Sequence, residues 1–258
     1  MTILDEIVQY KQRLLDEGYY EAKRQSLPTV DVQHKRTLIE QLAESDCIEV
    51  IAEIKSKSPT VSDIPQRNLN HQIKAYEQGG AAAISILTDE YYFNGSFERL
   101  VDFTQRTTLP VLCKDFIIDE RQIDVAKQAG ASIVLLIVNL LTDKTLRRLY
   151  DYAKQLNLEV LIEVHSKDEL ARVHRLHPKL IGINNRDLER FVTEVTHTNI
   201  ILETKKEDVF YISESGIHTT SDIERLVPSG IHGVLIGEAL MKARDPISLL
   251  QSFKYQRI

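Results

Sequence analysis

The feature that most limits how this chain can fold is an alternation of two kinds of segment, begun near residue 50 and sustained almost to the C-terminus. Short runs rich in β-branched and apolar residues fall at Val50 to Lys55, Ala82 to Leu87, Pro110 to Phe116, Ser132 to Val138, Glu159 to Val164, Leu180 to Asn184, Val209 to Ser213 and Gly233 to Ile236. Between successive runs stand roughly 15 to 25 residues of mostly charged, helix-forming sequence, such as Glu120 to Gln128 and Lys144 to Gln155. Strand, helix, strand in repetition is the pattern of a parallel sheet. Eight such units in about 210 residues predict an α/β protein, a (β/α)8 TIM barrel rather than a doubly wound sheet.

Before the first run, the chain reads as helical to about Ser45, with Ile3, Ile7, Leu14 and Leu15 on one stripe, a break at Ser26, Leu27 and Pro28, and a second stretch from Leu38 to Leu42. The expectation is one TIM-barrel domain over 1–258, with 1–45 as a helical N-terminal extension and 46–258 as the barrel; no linker or low-complexity tract divides it. Three of the strand runs are preceded by glycine, at Gly79 and Gly80, at Gly130 and at Gly230, where a helix has to end in a left-handed residue before the chain turns. With only 10 glycines, about half the usual share of roughly 7%, each is expected to have a backbone reason.

Charge narrows the partners. The 32 basic and 38 acidic side chains give a net charge of −6, which argues against nucleic acid or a membrane surface, since both reward a basic field. The longest apolar stretch, Ile133 to Leu141, is interrupted by Asn139 and falls far short of the roughly 20 residues a membrane helix needs. Cys47 and Cys113 make no disulfide framework and fit a reducing cytosol, so a soluble cytoplasmic protein is expected.

Barrel strands send alternate side chains inward and carry active-site groups at their C-terminal ends. Here those ends hold Glu53 and Lys55 on the first strand, Lys114 on the third, Glu163 on the fifth, Asn184 and Arg186 on the sixth, Glu214, Ser215 and Gly216 on the seventh, and Gly237 on the eighth. Any one of them is equally a polar residue where a strand meets solvent. The set is not, because ionised groups inside an apolar barrel need partners or an ionic substrate. Gly216 and Gly237, at adjacent strand ends, favour a phosphate site made from backbone N–H groups, with Glu238 donating its N–H while its carboxylate points away. His165, His174 and His177 match no standard zinc spacing, and His174 and His177 are read as a helix face, so no metal is expected. His165 is read as standing behind the site and Cys113 as a packing residue.

These residues lie in motifs that closely resemble the indole-3-glycerol-phosphate synthase family over nearly the whole chain: IAEIK from Ile51 with Ser58 and Pro59, GGAAAIS from Gly79, YFNGS from Tyr92, KDFIID from Lys114, EVH from Glu163, GINNRDL from Gly182, SESGI from Ser213 and IGEALM from Ile236. The resemblance implies ring closure of 1-(2-carboxyphenylamino)-1-deoxyribulose 5-phosphate to an indole, with loss of carbon dioxide and water and with no cofactor. It implies Lys114 as the general acid on the substrate carbonyl and Glu163 as the acid/base group of the dehydration. Lys55 would pair with the anthranilate carboxylate, and Glu53 would position these groups and offset positive charge. Asn184 and Arg186 would hold substrate oxygens, Ser58, Glu214 and Ser215 would line the pocket, Phe93 and Phe116 would form its apolar wall, and Gly216, Gly237 and Glu238 would grip the phosphate. A lysine acid works best with a pKa lowered toward working pH, by burial or a second lysine, and that is expected of Lys114.

One stretch departs from the family: Ser58 and Pro59 are followed by Thr60, Val61, Ser62 and Asp63, without the usual added lysine and glycine, which bears on how the first loop closes. Two other readings stay open from the residues. One is another phosphate-binding barrel, such as phosphoribosylanthranilate isomerase, whose Cys and Asp pair this chain lacks at the right strand ends. The other is a barrel that binds a sugar phosphate without turnover, against which Lys114 and Glu163 speak. The partner is expected to be a small anionic sugar phosphate, and the chain a monomer or weak homodimer.

Overall fold

A computed structural model describes residues 3–55, 69–186 and 192–257; Ser58 and the divergent stretch Thr60 to Asp63 lie outside them. Three helices come first, α1 (Ile3–Asp16), α2 (Tyr19–Ser26) and α3 (Leu38–Glu44). The sequence predicts one unbroken helix as far as Ser26, but Gly18 adopts φ 74°, a left-handed residue that ends α1 and starts α2. The chain then runs β1 (Glu49–Ile54), α4 (Leu69–Gln78), β2 (Ala83–Leu87), α5 (Glu90–Phe93), α6 (Phe97–Arg106), β3 (Val111–Lys114), α7 (Glu120–Gln128), β4 (Ile133–Ile137) and α8 (Asp143–Gln155). It continues β5 (Glu159–Val164), α9 (Lys167–His174), β6 (Leu180–Asn184), α10 (His197–Ile201), β7 (Phe210–Glu214), α11 (Thr220–Leu226), β8 (Gly233–Ile236), α12 (Glu238–Lys242) and α13 (Pro246–Ser252).

The eight strands are parallel, each paired with the next in sequence, and β8 closes on β1 through Glu49 opposite Gly233 and Ala52 opposite Ile236. The fold is the (β/α)8 barrel that the alternation predicts. Strand ends agree with the sequence to within two residues, and the differences have local causes. β3 stops at Lys114 rather than Phe116, because the Asp115 carboxylate captures the Phe116 N–H at 2.7 Å and bends the chain out of the sheet. β4 stops at Ile137, and Val138 starts a 3-10 turn.

Inward-facing Ile51, Leu112, Leu135, Leu161, Ile212 and Leu235 fill the barrel, while the alternate residues, Val50, Val111, Cys113, Val134, Val160 and Val234, pack under the surrounding helices. Helix starts follow side-chain caps that the sequence supplies: Thr37 and Glu40 form a capping box on α3, as do Asp119 with Gln122 on α7 and Thr219 with Asp222 on α11. Leu38 and Leu42 of α3 join the interior cluster from below, closing the floor of the barrel. Glu159, at the start of β5, accepts the backbone N–H groups of Leu38 and Ile39, each at 2.8 Å, and so ties the helix there. At the opposite end, α1 lies across the mouth, where Ile3, Leu4 and Ile7 line the central cavity.

Candidate active site

A cavity of about 690 Å³ opens at the C-terminal ends of the strands. Its lining brings together Glu53, Lys55, Phe93, Lys114, Phe116, Glu163, Asn184, Arg186, Ser215, Gly216, Gly237 and Glu238 from all around the barrel. Glu214 is the exception among the described residues expected in the lining: at the C-terminal end of β7 it is fully buried behind the cavity wall, where it meets Lys114.

Lys114 is the hub. Its Nζ stands 3.1 Å from Glu53 Oε2 and 3.2 Å from Glu214 Oε2, while the other Glu53 oxygen lies 3.0 Å from Lys55 Nζ. Burial by itself raises the pKa of Glu53, but Lys114 and Lys55 outweigh it and bring the group down to about 2. Glu214 goes the other way. Burial dominates and Glu163 adds repulsion, so that even with Lys114 beside it the carboxyl is pushed up to about 7. The pKa of Lys114 is not lowered, contrary to the expectation from its role. Burial does pull it down, but the surrounding Glu53, Glu214 and Glu163 hold it above the ordinary lysine value. The ammonium is therefore fully formed at working pH, and Glu53 and Glu214 aim it.

Glu163 sits across the cavity in a different setting. Its Oε1 accepts a 3.0 Å hydrogen bond from Asn184 Nδ2 and lies 3.2 Å from His165 Nε2. Asn184 Oδ1 in turn accepts the Arg186 N–H at 3.0 Å, so the end of β6 holds the amide with its NH2 toward the acid. Burial opposes ionisation of Glu163, yet His165, Lys114 and Asn184 bring its pKa below the usual carboxylate value. His165 faces Glu163 on one side and Glu169, 3.6 Å from Nδ1, on the other; its carbonyl oxygen lies 2.9 Å from His197 Nε2. Burial disfavours its charge, but the two acids push its pKa up to about 10, so it is an imidazolium at neutral pH.

Two glycines owe their identity to these acids. A Cβ at Gly182 would lie 2.1 Å from Glu214 Oε1, and one at Gly237 would lie 2.7 Å from Glu53 Oε1. Gly237 is thus required first by Glu53 packing upon it. Gly216 needs its freedom, with φ 80°, and Ser215 before it also takes a left-handed φ of 69°. The Glu238 carboxylate bonds Lys242 Nζ at 2.8 Å, one turn along α12, which draws it off the cavity. Phe93 and Phe116 stack at 5.9 Å with planes 28° apart, forming an apolar side next to Leu4 and Ile7.

Sequence reasoning missed the contribution of α1 and the pairing of Lys11 with Asp89 and Asp115 behind the aromatic wall. The signal was a lysine set on the apolar stripe of α1, four residues after Ile7. His177 lies past the end of α9 with φ 52°, in a turn and not on a helix face with His174, which meets Tyr211. Among the described residues, no three His, Cys, Asp or Glu side chains gather as a metal-holding group, and no helix is long and apolar enough to cross a membrane.

A closed parallel barrel with paired charges and a large cavity at the ends of its strands is the build of a (β/α)8-barrel enzyme. Two solved structures share that architecture: a 3-hexulose-6-phosphate synthase, with a TM-score of 0.63 at 15% identity over 80% of this chain and 98% of that one, and an N-acetylmannosamine-6-phosphate 2-epimerase from Clostridium perfringens, with a TM-score of 0.60 at 14% identity over 81% and 93%. At such identities they speak for the fold alone. Sequence goes further. Residues 4–253 match the family model of indole-3-glycerol phosphate synthase, and proteins of that name from Staphylococcus saprophyticus and Staphylococcus aureus are 60% and 59% identical over all of this chain and 99% of their own length. The chain belongs to the indole-3-glycerol phosphate synthase family, ring-closing carboxy-lyases of tryptophan biosynthesis whose substrate carries a phosphate.

Proposed function

We propose that the cavity closes 1-(2-carboxyphenylamino)-1-deoxyribulose 5-phosphate to indole-3-glycerol phosphate with Lys114 as general acid. The observation that carries this reading is the Lys114 ammonium, held between Glu53 and Glu214 and pointing into a cavity with Phe93 and Phe116 on its flank. The ring carbon bearing the carboxylate attacks the substrate ketone, whose oxygen takes the proton of Lys114 and becomes a hydroxyl. The new carbon–carbon bond costs the ring its aromaticity, and departure of carbon dioxide restores it. Lys55 pairs with that carboxylate beforehand and releases it as CO2. Glu53, ionised throughout, keeps the two lysines apart and in line.

Dehydration then removes the hydroxyl as water and one proton from the neighbouring methylene. Glu163, ionised at rest, takes that role as acid/base group, with Asn184 and Arg186 on the substrate oxygens. Gly216, Gly237 and the Glu238 N–H hold the phosphate, with Ser215 beside them; Ser58 belongs to the same pocket by its motif. Phosphate binding far from the reacting carbons offsets the entropy of holding a flexible sugar chain against the ring. Residues 1–45 and 46–258 act as one domain, as a monomer or weak homodimer in the cytoplasm, which the two unpaired cysteines support.

The test separates the steps by following released CO2 and indole fluorescence in single turnovers. Lys114→Ala is expected to lose both signals by about a thousandfold, while Glu163→Gln keeps CO2 release ahead of an indole signal slowed by about a hundredfold or more. Equal slowing of both signals by Glu163→Gln would overturn this division of roles.

A further inference from the structure

Lys11 is a lysine in the wrong place for an ordinary helix surface. Its side chain is 2% exposed, and Nζ lies 2.8 Å from Asp89 Oδ2 and 2.5 Å from Asp115 Oδ1, two carboxylates that are themselves no more than 2% exposed. Leu4, Ile7 and Lys11 are spaced three and four apart, so the face of α1 that lines the cavity also carries the ammonium. Burial pulls the charge of Lys11 down, but Asp115, Tyr20 and Asp89 more than restore it, and the group is an ammonium at any working pH.

Each carboxylate has a second task. Asp89 caps α5, accepting the Tyr92 N–H at 2.6 Å, and α5 carries Phe93 into the aromatic wall. Asp115 stands between Lys114 and Phe116, accepting the Phe116 N–H at 2.7 Å and the Thr88 hydroxyl at 2.8 Å. Burying three ions is a costly way to attach a helix, since apolar side chains of similar volume attach one at least as well. What an ion cluster supplies beyond adhesion is register: a cation shared by two fixed carboxylates has one place to be.

We propose that Lys11 is a positioning residue, whose buried ammonium clamps α1, α5 and the end of β3 together and so fixes the roof of the pocket against the aromatic part of the substrate. The proposal rests on the reading of Lys114, Phe93 and Phe116 given above. It places the clamp at the ends of β2 and β3, on the aromatic side of the cavity, whereas Gly216 and Gly237 follow β7 and β8, so its loss is selective. The phosphate end keeps its grip while the ring end loses its seat.

The experiment compares Lys11→Met with the unsubstituted protein in steady-state kinetics and in the binding of two ligands, indole-3-glycerol phosphate and glycerol 3-phosphate, which has the phosphate without the ring. For Lys11→Met, kcat/KM is expected to fall about a hundredfold, with KM and the Kd for indole-3-glycerol phosphate rising about tenfold and the Kd for glycerol 3-phosphate within about twofold. A kcat/KM within about threefold of the parent, or a parallel loss of both ligands, overturns the proposal. If Lys11→Met does not fold, Asp89→Asn decides instead, because it keeps the Lys11–Asp115 pair and an acceptor for the Tyr92 N–H. The same selective loss, about tenfold in kcat/KM, supports the clamp, and unchanged kinetics overturn it. A parent without turnover would remove the reading of the reaction alone, since the two binding measurements still decide the clamp.

Discussion

At the scale of single residues, the site drives the pKa values of its two carboxylates Glu163 and Glu214 in opposite directions, the first down and the second up, and His165 accounts for much of the difference. Glu163 and Glu214 are both deeply buried, yet only Glu163 has an imidazolium at 3.2 Å. Replacing His165 with Asn takes away that charge while leaving Glu163 its bond from Asn184. The burial cost of Glu163 then goes less opposed, and the acid limb of the kcat profile is expected to move up by about one pH unit. Stability gives an independent check. The folded pKa of His165, about 10, is above the unfolded value of 6.5, so its contribution is complete below pH 6.5 and is lost as pH rises through 10. The melting-temperature advantage of the parent over His165→Asn should therefore be flat below pH 6.5 and shrink between 6.5 and 10. An unmoved acid limb, in a variant that shows this stability window, would mean that His165 is not what keeps Glu163 ionised. Glu53, Lys114 and Glu163 were legible in the sequence because each is a charge on the inward face of an apolar strand. The ionisation states were not legible, because they depend on burial and on groups from other strands, three of them in the case of Lys114. Lys114 shows this most clearly: burial alone argues for a lowered pKa, and the carboxylates from β1, β5 and β7 reverse it.

At the scale of elements, the strands could be read almost to the residue because β-branched runs and charged helical stretches alternate without overlap. What escaped was how elements are held by groups distant in sequence. Nothing near Leu38 announces that α3 will be tied by an acid 121 positions away, yet Glu159 accepts both of its first free N–H groups. Residues 26–28 break the helix as read, but Gly18 does too, in a stretch where helix formers on both sides hide it. Removing the α3 tie leaves two N–H groups at the barrel floor without their acceptor. Glu159→Ala should accordingly destabilise the fold by about 3 kcal/mol, a melting-temperature drop of roughly 6–12 °C for a domain of this size. The site is at the other end of the barrel, so kcat/KM at 25 °C should stay within about twofold of the parent. A melting point unchanged by the substitution would mean that packing of Leu38 and Leu42 alone holds α3 in place.

At the scale of the whole molecule, two fields compete for an anionic substrate. The chain carries a net charge of −6, which repels it at a distance. The cavity is different: Lys55, Lys114 and Arg186 line it opposite Glu53 and Glu163, the Glu238 carboxylate is paired with Lys242, and Asp115 shares the buried Lys11 with Asp89. Which field governs approach depends on range. At physiological ionic strength charges act over only about 8 Å, so the scattered surface acids are largely screened while the cations at the mouth meet the substrate at contact. Low-dielectric walls concentrate that local field further. Raising sodium chloride from about 0.05 to 0.5 M should therefore lower kcat/KM by about three- to tenfold and leave kcat within about twofold, because the chemistry proceeds among buried, unscreened pairs. An increase in kcat/KM over the same range would show instead that the negative surface limits encounter and that the cations at the mouth serve only to hold what has already arrived.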